Sequence, residues 1–415
     1  MLPRKALPAK NEVDHFPLNP TVQFPSSHAD PTLEQVEEDR RLLKPSSGST
    51  PLTERKVGAY FVRLLRREET ESALELYRVA GEPVPSPRQW DWRFFSRNPE
   101  LSYVPAAFNR EGQLVALYPA TVRPAWVDGL DLMSYQACRT LIHPDFRGGG
   151  RLYLALLRFC FQRNDSIGIH FGFGGGAGKA ALKVGAWALD NREMCTLQTY
   201  ERRLSWRLAL QRRFGRGGGS FAAFFDAFGN RDLLFRDGQI QVETVHQSGP
   251  MFDELWRRKR HHYRVLLRRD ARELKWRYFD CPVATTVLVA KRRGELEGYA
   301  AIRHRQDDMG KAQLSCVIDM FSGQDPAVEM ALLRAAGAEG RHMGTDFLQF
   351  APVPGSVAET MVKQGPWRPA KRPLESVVVG HTSDHSAEVG LSEVVSVAVE
   401  GKHWYYCQGD SDFYD

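Results

Sequence analysis

The chain has 415 residues, 42% of them hydrophobic and 26% charged, the proportions of a folded globular protein of about two or three domains. Fifty-six Lys and Arg against 50 Asp and Glu leave a net charge of +6, which suits a phosphorylated ligand and does not call for DNA. Six cysteines without a C-x-x-C pair argue against a disulfide framework or a zinc site, and for a reducing compartment. No apolar signal core and no long apolar span are present, so a cytoplasmic location is expected.

Residues 1–53 are rich in Pro, Ser, Thr and charge and read as a disordered tail. Lys56–Leu65 reads as a strand. Glu68–Val79 reads as a helix with acids in its first turn, ended by Pro83, Pro85 and Pro87. A second short helix, Arg88–Arg97, stops before Asn98-Pro99. Strands are predicted at Tyr103–Asn109, Gln113–Val122 and Leu130–Ile142, the first two joined by the turn Asn109–Gly112. Beyond a glycine turn, Leu152, Leu156 and Phe159 recur at helical spacing. Ser166–Gly174 is a further strand, Ala177–Val184 a short helix, and Met194–Arg202 a closing strand.

The glycine turn carries the first chemical signal. Gly148, Gly149 and Gly150 follow an apolar strand and open a helix. Bare amides at a helix start, with the positive end of the helix dipole, form an anion site. Arg147 and Arg151 flank it. A Walker loop would need Lys-Ser/Thr after the glycines, and none is present.

The pattern Arg147-x-x-Gly150 after His143-Pro144 resembles the acyl-CoA loop of the GNAT N-acetyltransferase superfamily. The order β-α-α-β-β-β-α-β-α-β from Lys56 to about Leu204 is similar to the order of that family. The resemblance implies that Arg147, Gly148, Gly149, Gly150, Arg151 and Leu152 hold the pyrophosphate of acetyl-CoA or another acyl-CoA. It implies that Leu141 and Ile142 meet the pantetheine arm. Leu152 departs from the Gly or Ala that the family prefers.

The second half repeats the first. Trp92-Arg93-Phe94-Phe95 returns as Trp276-Arg277-Tyr278-Phe279, and Gly112 returns as Gly294. Ala155-Leu156-Leu157-Arg158 returns as Ala331-Leu332-Leu333-Arg334, and Phe171 returns as Phe350. The chain is therefore expected to be α/β, with two tandem GNAT-like units, each a mixed central sheet with helices on both faces. The units are 54–204, with the intact loop, and 237–390, degenerate. Residues 205–236 read as a basic, Gly-rich linker and 391–415 as a C-terminal tail. In the second copy Asp325 and Pro326 stand where the glycines were. An acid repels phosphate and Pro lacks the amide, so this copy is expected not to bind CoA.

The resemblance implies acyl transfer to a primary amine of a small molecule or amino sugar. Catalytic residues are thinly marked: His143, Tyr135 and Cys138 are the candidates, and positioning with water carrying the protons is the alternative. Asp319 is a candidate to face the pocket. Asp410, Asp412 and Asp415 are candidates for a cationic acceptor or a metal, or for a capped tail. The basic run Arg257–Arg269 reads as a grip for an anionic acceptor or as a solvated face. Trp206, Leu210 and Phe214 share a helical face beside Arg207, Arg212 and Arg213, which permits a weak membrane-surface contact. Two other classes compete: a Fem-type aminoacyl transferase using charged tRNA, which predicts no intact CoA loop, and a CoA-binding scaffold without catalysis.

Overall fold

The computed structural model describes residues 54–97, 102–148, 150–175, 192–215, 222, 224, 226, 238–307, 310, 312–370, 375–381 and 391–411. The expected tail at 1–53, the helix at 177–184, Gly149, Asp412, Asp415 and most of the linker lie outside them. Among the described residues, no helix is long and apolar enough to cross a membrane.

The first half opens with a hairpin, Glu54–Val57 against Tyr60–Leu64, where a single strand was expected. Gly58 turns it at φ 60°. The helix Thr70–Ala80 buries Ala73, Leu74, Leu76 and Tyr77 and stops at Gly81 in the left-handed conformation. In the helix Pro87–Phe94, the Ser86 hydroxyl accepts from the Gln89 amide at 3.2 Å and the Gln89 side chain accepts from the Ser86 amide at 2.8 Å. It buries Trp90, Trp92 and Phe94.

The meander that follows is broken where continuous strands were expected. Pro119 has no amide to give to a ladder, so Gln113–Val122 divides into Leu114–Leu117 and the start of Ala120–Val127. Opposite this break the Cys138 amide donates to the Pro119 carbonyl at 2.8 Å, and Leu130–Ile142 divides into Leu130–Ala137 and Leu141–Ile142. The short pieces join a five-stranded sheet, and the long ones join an eight-stranded sheet. The helix Arg151–Ser166 packs Leu152, Leu156, Leu157 and Phe159 into one core with Val115, Val122 and Tyr135.

The two halves exchange strands. The segment Met194–Arg202 forms two strands in different sheets, Arg192–Leu197 and Tyr200–Arg203. Tyr200–Arg203 crosses into the seven-stranded sheet of the second half, between Phe347–Phe350 and Arg368–Pro369. In return, Glu375–His381 enters the eight-stranded sheet between Arg192–Leu197 and Ile169–Gly175. Val265–Leu267 extends that sheet from its other side along Ala120–Val127, and Trp404–Tyr405 follows it. Residues 391–411 therefore differ from the expected tail: Trp404, Tyr406 and Asp410 are buried. Units cut at 204 and 390 would each have lent a strand to the other.

The repeat anchors Trp92 and Trp276 meet. Their indoles stack with centroids 5.3 Å apart and planes 21° apart. The Trp92 Nε1–H donates to the Trp276 carbonyl at 2.8 Å, and the Trp276 Nε1–H donates to the Trp92 carbonyl at 3.1 Å. This reciprocal pair marks a pseudo-twofold axis between the halves. The hairpin glycines agree with it, Gly112 at φ 79° and Gly294 at φ 85°. Replacing either Trp with Ala is expected to cost about 3–5 kcal/mol in denaturant unfolding. The double replacement should cost about 1 kcal/mol or more less than the sum, because the second change removes a contact already lost. Strictly additive losses would mean that the two rings are not coupled.

Candidate active site

The glycine loop is built as an open helix start. Gly150 is the N-cap of Arg151–Ser166 at φ 68°, and no side chain caps the first turn. The first amides of any α-helix lack partners within it, and those after Gly150 have no capping side chain, the arrangement that suits an anion. Arg147 folds back: its Nε donates to the Ile142 carbonyl at 3.0 Å, which joins the loop to the preceding strand. Arg151 and Gly148 are exposed, whereas Leu152 is buried and faces the core rather than the anion. Leu141 and Ile142 pair with Leu117 and Ala116.

The second half has the same helix start with the site filled. Asp325 is the N-cap of Pro326–His342; its Oδ1 accepts from the amides of Ala327 at 3.0 Å and Val328 at 3.2 Å. Its Oδ2 accepts from Arg292 at 3.0 Å. Burial works against the charge, but Arg292 and those amides hold the carboxyl below its usual range. Where the first half offers amides to a ligand, the second supplies its own carboxylate.

The strand pairing beside the first loop has a gap. Leu130–Ala137 and Ile169–Gly175 run parallel and pair from Met133↔Ile169 to Gln136↔Phe173. Beyond that, Leu141–Ile142 turns to Leu114–Leu117, while Gly174 and Gly175 turn to Val378 and Val377. In the second half, Gln313–Phe321 likewise leaves its parallel neighbour after Val317↔Phe350. There the chain's own C-terminal segment fills the space. The Tyr405 hydroxyl donates to the Met320 carbonyl, and a Cβ on Gly409 would lie 3.1 Å from the Ile318 carbonyl oxygen.

No family model and no curated protein matches the chain by sequence. Solved structures do match it. Saccharomyces cerevisiae N-myristoyltransferase with bound myristoyl-CoA aligns over 80% of this chain and 81% of its own, with TM-score 0.54 and 10% identity. A GCN5-related N-acetyltransferase from Anabaena variabilis aligns over 78% of this chain and 73% of its own, with TM-score 0.56 and 10% identity. Another from Kribbella flavida aligns over 80% and 72%, with TM-score 0.52 and 12% identity. The fold is the GNAT fold. It occurs in tandem, as the repeated anchors and the alignment over 80% of the chain agree.

Within this GNAT fold the candidate catalytic side chains are not gathered at the gap. Tyr135 lies in the core under the loop helix, its ring occupying the space where a Cβ of Gly172 would be, 2.2 Å from that position. Burial, with the nearby Cys160, pushes its phenol up. Cys138 does lie at the strand break, with Arg93 Nη2 3.2 Å from its Sγ. Burial nonetheless pushes its thiol up against the pull of that Arg, which disfavours the thiolate. His143 caps the turn at Pro144–Phe146, accepting at Nδ1 from the Asp145 amide at 3.3 Å, with its ring edge-on to Phe146.

The buried chemistry lies instead in the second half and reaches the first through Arg123, whose Nη2 lies 3.9 Å from Asp410 Oδ1. Arg269, Arg277, Asp319 and Asp410 are fully buried together. Arg269 Nη2 lies 2.5 Å from Asp410 Oδ2, and Arg277 Nη2 lies 2.8 Å from Asp410 Oδ1. The hydroxyls of Tyr278 and Tyr299 both donate to Asp319 Oδ2 at 2.7 Å. Burial alone would raise the Asp319 carboxyl; the two guanidiniums and two hydroxyls outweigh it and hold the group at about 2. Asp319 and Asp410 are thus committed to structural pairs and face neither a metal nor an acceptor. Sequence reasoning missed Arg277 as an anchor, although it follows the repeated Trp. It also missed Glu273, buried at 2% exposure and paired with Arg97.

The basic run is mostly neutralised. Arg258 and Lys259 pair with Glu297, Arg260 and Arg268 with Asp131, and Arg264 with Asp128. It binds the second half to a hairpin of the first and presents no anionic grip of its own. Trp206 and Phe214 remain exposed beside the helix Arg207–Phe214.

One turn beyond Asp325, Glu329 is 1% exposed and accepts from the Ser322 hydroxyl at 2.7 Å. Burial pushes its carboxyl up from 4.5 to about 7; Ser322 opposes this and Asp325 adds to it. The folded chain therefore keeps a proton that the unfolded chain releases near 4.5. The associated stability is fully present below that pH and is lost as pH rises through about 7. Glu329→Gln is expected to remove that decline, leaving the variant roughly 3 kcal/mol more stable than the parent at pH 8. Parallel stability-pH curves for the two proteins would contradict the assignment.

Proposed function

We propose that the chain is an acyl-CoA-dependent N-acyltransferase acting on a primary amine of a small molecule, with the cofactor in the first half alone. The observation that carries this reading is the contrast between the two helix starts. The first leaves its amides uncapped after Gly150, and the second spends them on Asp325. A tandem fold shared with a myristoyl-CoA-bound structure supports it.

In this reading the amides after Gly150 hold the pyrophosphate, with Arg147 and Arg151 adding charge. Acyl-CoA supplies the activated acyl group. Leu141 and Ile142, on the short strand before the loop, meet the pantetheine arm in this reading. The amine must shed a proton before it attacks. No thiolate or phenolate stands ready, so the rate enhancement rests on positioning and on exclusion of bulk water. The same lack of a poised side chain favours a second reading, a CoA-binding protein without turnover. A Fem-type transfer from charged tRNA fits less well, because it has no use for an intact CoA loop.

Calorimetric titration with acetyl-CoA tests the first reading. Micromolar binding is expected, on the order of −8 kcal/mol. Gly150→Asp would place in the first half the carboxylate that Asp325 supplies in the second, and Asp tolerates the left-handed conformation. That variant should lose the cofactor at a modest cost in unfolding midpoint, because an L side chain at φ 68° is strained. Undiminished affinity in Gly150→Asp would overturn the site. Release of free thiol over an amine panel then separates transferase from binding protein.

A further inference from the structure

A cleft opens on the pseudo-twofold axis, over the edges of the stacked Trp92 and Trp276. It encloses about 440 Å³. Four cations line it, Arg88, Arg97, Arg272 and Lys275, against two acids, Asp91 and Asp280. Both acids are already spent: Asp280 lies 2.6 Å from Lys275, and Asp91 lies 2.6 Å from Arg67 behind the wall. Arg97 is committed to the buried Glu273.

That leaves Arg88 and Arg272, which make no ion pair among the described residues and are exposed to the cleft. They are counterparts in the repeat, each four residues before its tryptophan. The axis that brings the indoles together therefore brings two free guanidiniums to one cavity. Arg88 also occupies the first turn of the helix Pro87–Phe94, where the helix dipole disfavours a cation. Local helix energetics would choose an acid there. An anion held between Arg88 and Arg272 offsets both the dipole and the mutual repulsion of the two charges.

The cleft is also tied to the acyl gap. The helix that lines it through Arg88, Asp91 and Trp92 touches Cys138, at the strand break, through Arg93. We propose that this cleft recognises the acceptor, and that the acceptor is a primary amine carrying an anionic group, carboxylate or phosphate, gripped by Arg88 and Arg272. This rests on the acyl-transfer reading.

The test uses the full chain and three probes: O-phosphoethanolamine, β-alanine and neutral ethanolamine. Each is titrated calorimetrically against the protein and against the Arg88→Ala/Arg272→Ala double variant. Each is also assayed for thiol release from acetyl-CoA. The anionic amines should bind and turn over better than ethanolamine, with the phosphate and carboxylate arms showing which anion is preferred. Removing each guanidinium should weaken the anionic amines about tenfold, seen in KM rather than kcat, and leave ethanolamine and acetyl-CoA affinity unchanged. Arg88→Lys/Arg272→Lys should recover part of the loss. Equal binding of all three probes, or anionic binding untouched in the double variant, would overturn the site. Arginine-dependent binding without any effect on KM would overturn its role as the acceptor site. Loss of acetyl-CoA binding in the parent would instead sink the acyl-transfer reading, and the amine titrations report independently of it.

Discussion

The stacked, mutually hydrogen-bonded pair Trp92 and Trp276 is the contact on which the arrangement of this molecule depends. Each indole donates to the other's backbone carbonyl, so neither can move without leaving a buried donor unmet. The pair fixes the helix Pro87–Phe94 against the helical turn Lys275–Phe279 and thereby the axis between the halves. Around that axis lie the fully buried Arg269, Arg277, Asp319 and Asp410. Ions without solvent are tolerable only when their partners are in place. That condition is met by the C-terminal segment, which brings Asp410 to both arginines.

One architecture used twice has diverged at the points where a ligand would enter. Both helix starts carry the same unmet amides by geometry. In the first half three glycines precede them, and Gly150 caps the helix without a side chain. In the second, Asp325 caps the helix and the segment around Gly409 occupies the neighbouring gap. In the second copy the chain's own residues occupy both places. That copy contributes instead a wall of the axial cleft and the side chains that hold the first copy in register.

Much of this was legible in the chain. The order of elements follows from periodicity and turn residues, and the repeat from the recurring Trp, Gly and Ala-Leu-Leu-Arg anchors. The contrast between the glycines at 149–150 and Asp325-Pro326 could be read from residue chemistry alone; that Gly150 and Asp325 are the two N-caps could not. The break at Pro119 was also written there, in a residue that cannot donate to a ladder, but it was read as part of one strand. The exchange of strands was not legible, because Tyr200–Arg203 and Glu375–His381 pair through backbone groups with partners far away in sequence. Nor was the charge cluster, whose members come from four separate segments. Asp319 and Asp410 looked like candidates for ligand chemistry, since an isolated acid in a sequence carries no mark of the arginine it will meet.

The crossed strands also govern how the molecule can come into being. The sheet of the first half lacks an internal member until residue 375 has been made, and the buried arginines, which also face Asp319, lack their second carboxylate until residue 410. A nascent first half must wait on the ribosome with an open strand edge, an exposure that invites mispairing with other chains. A protein cut between its two repeats would therefore yield two incomplete sheets rather than two domains.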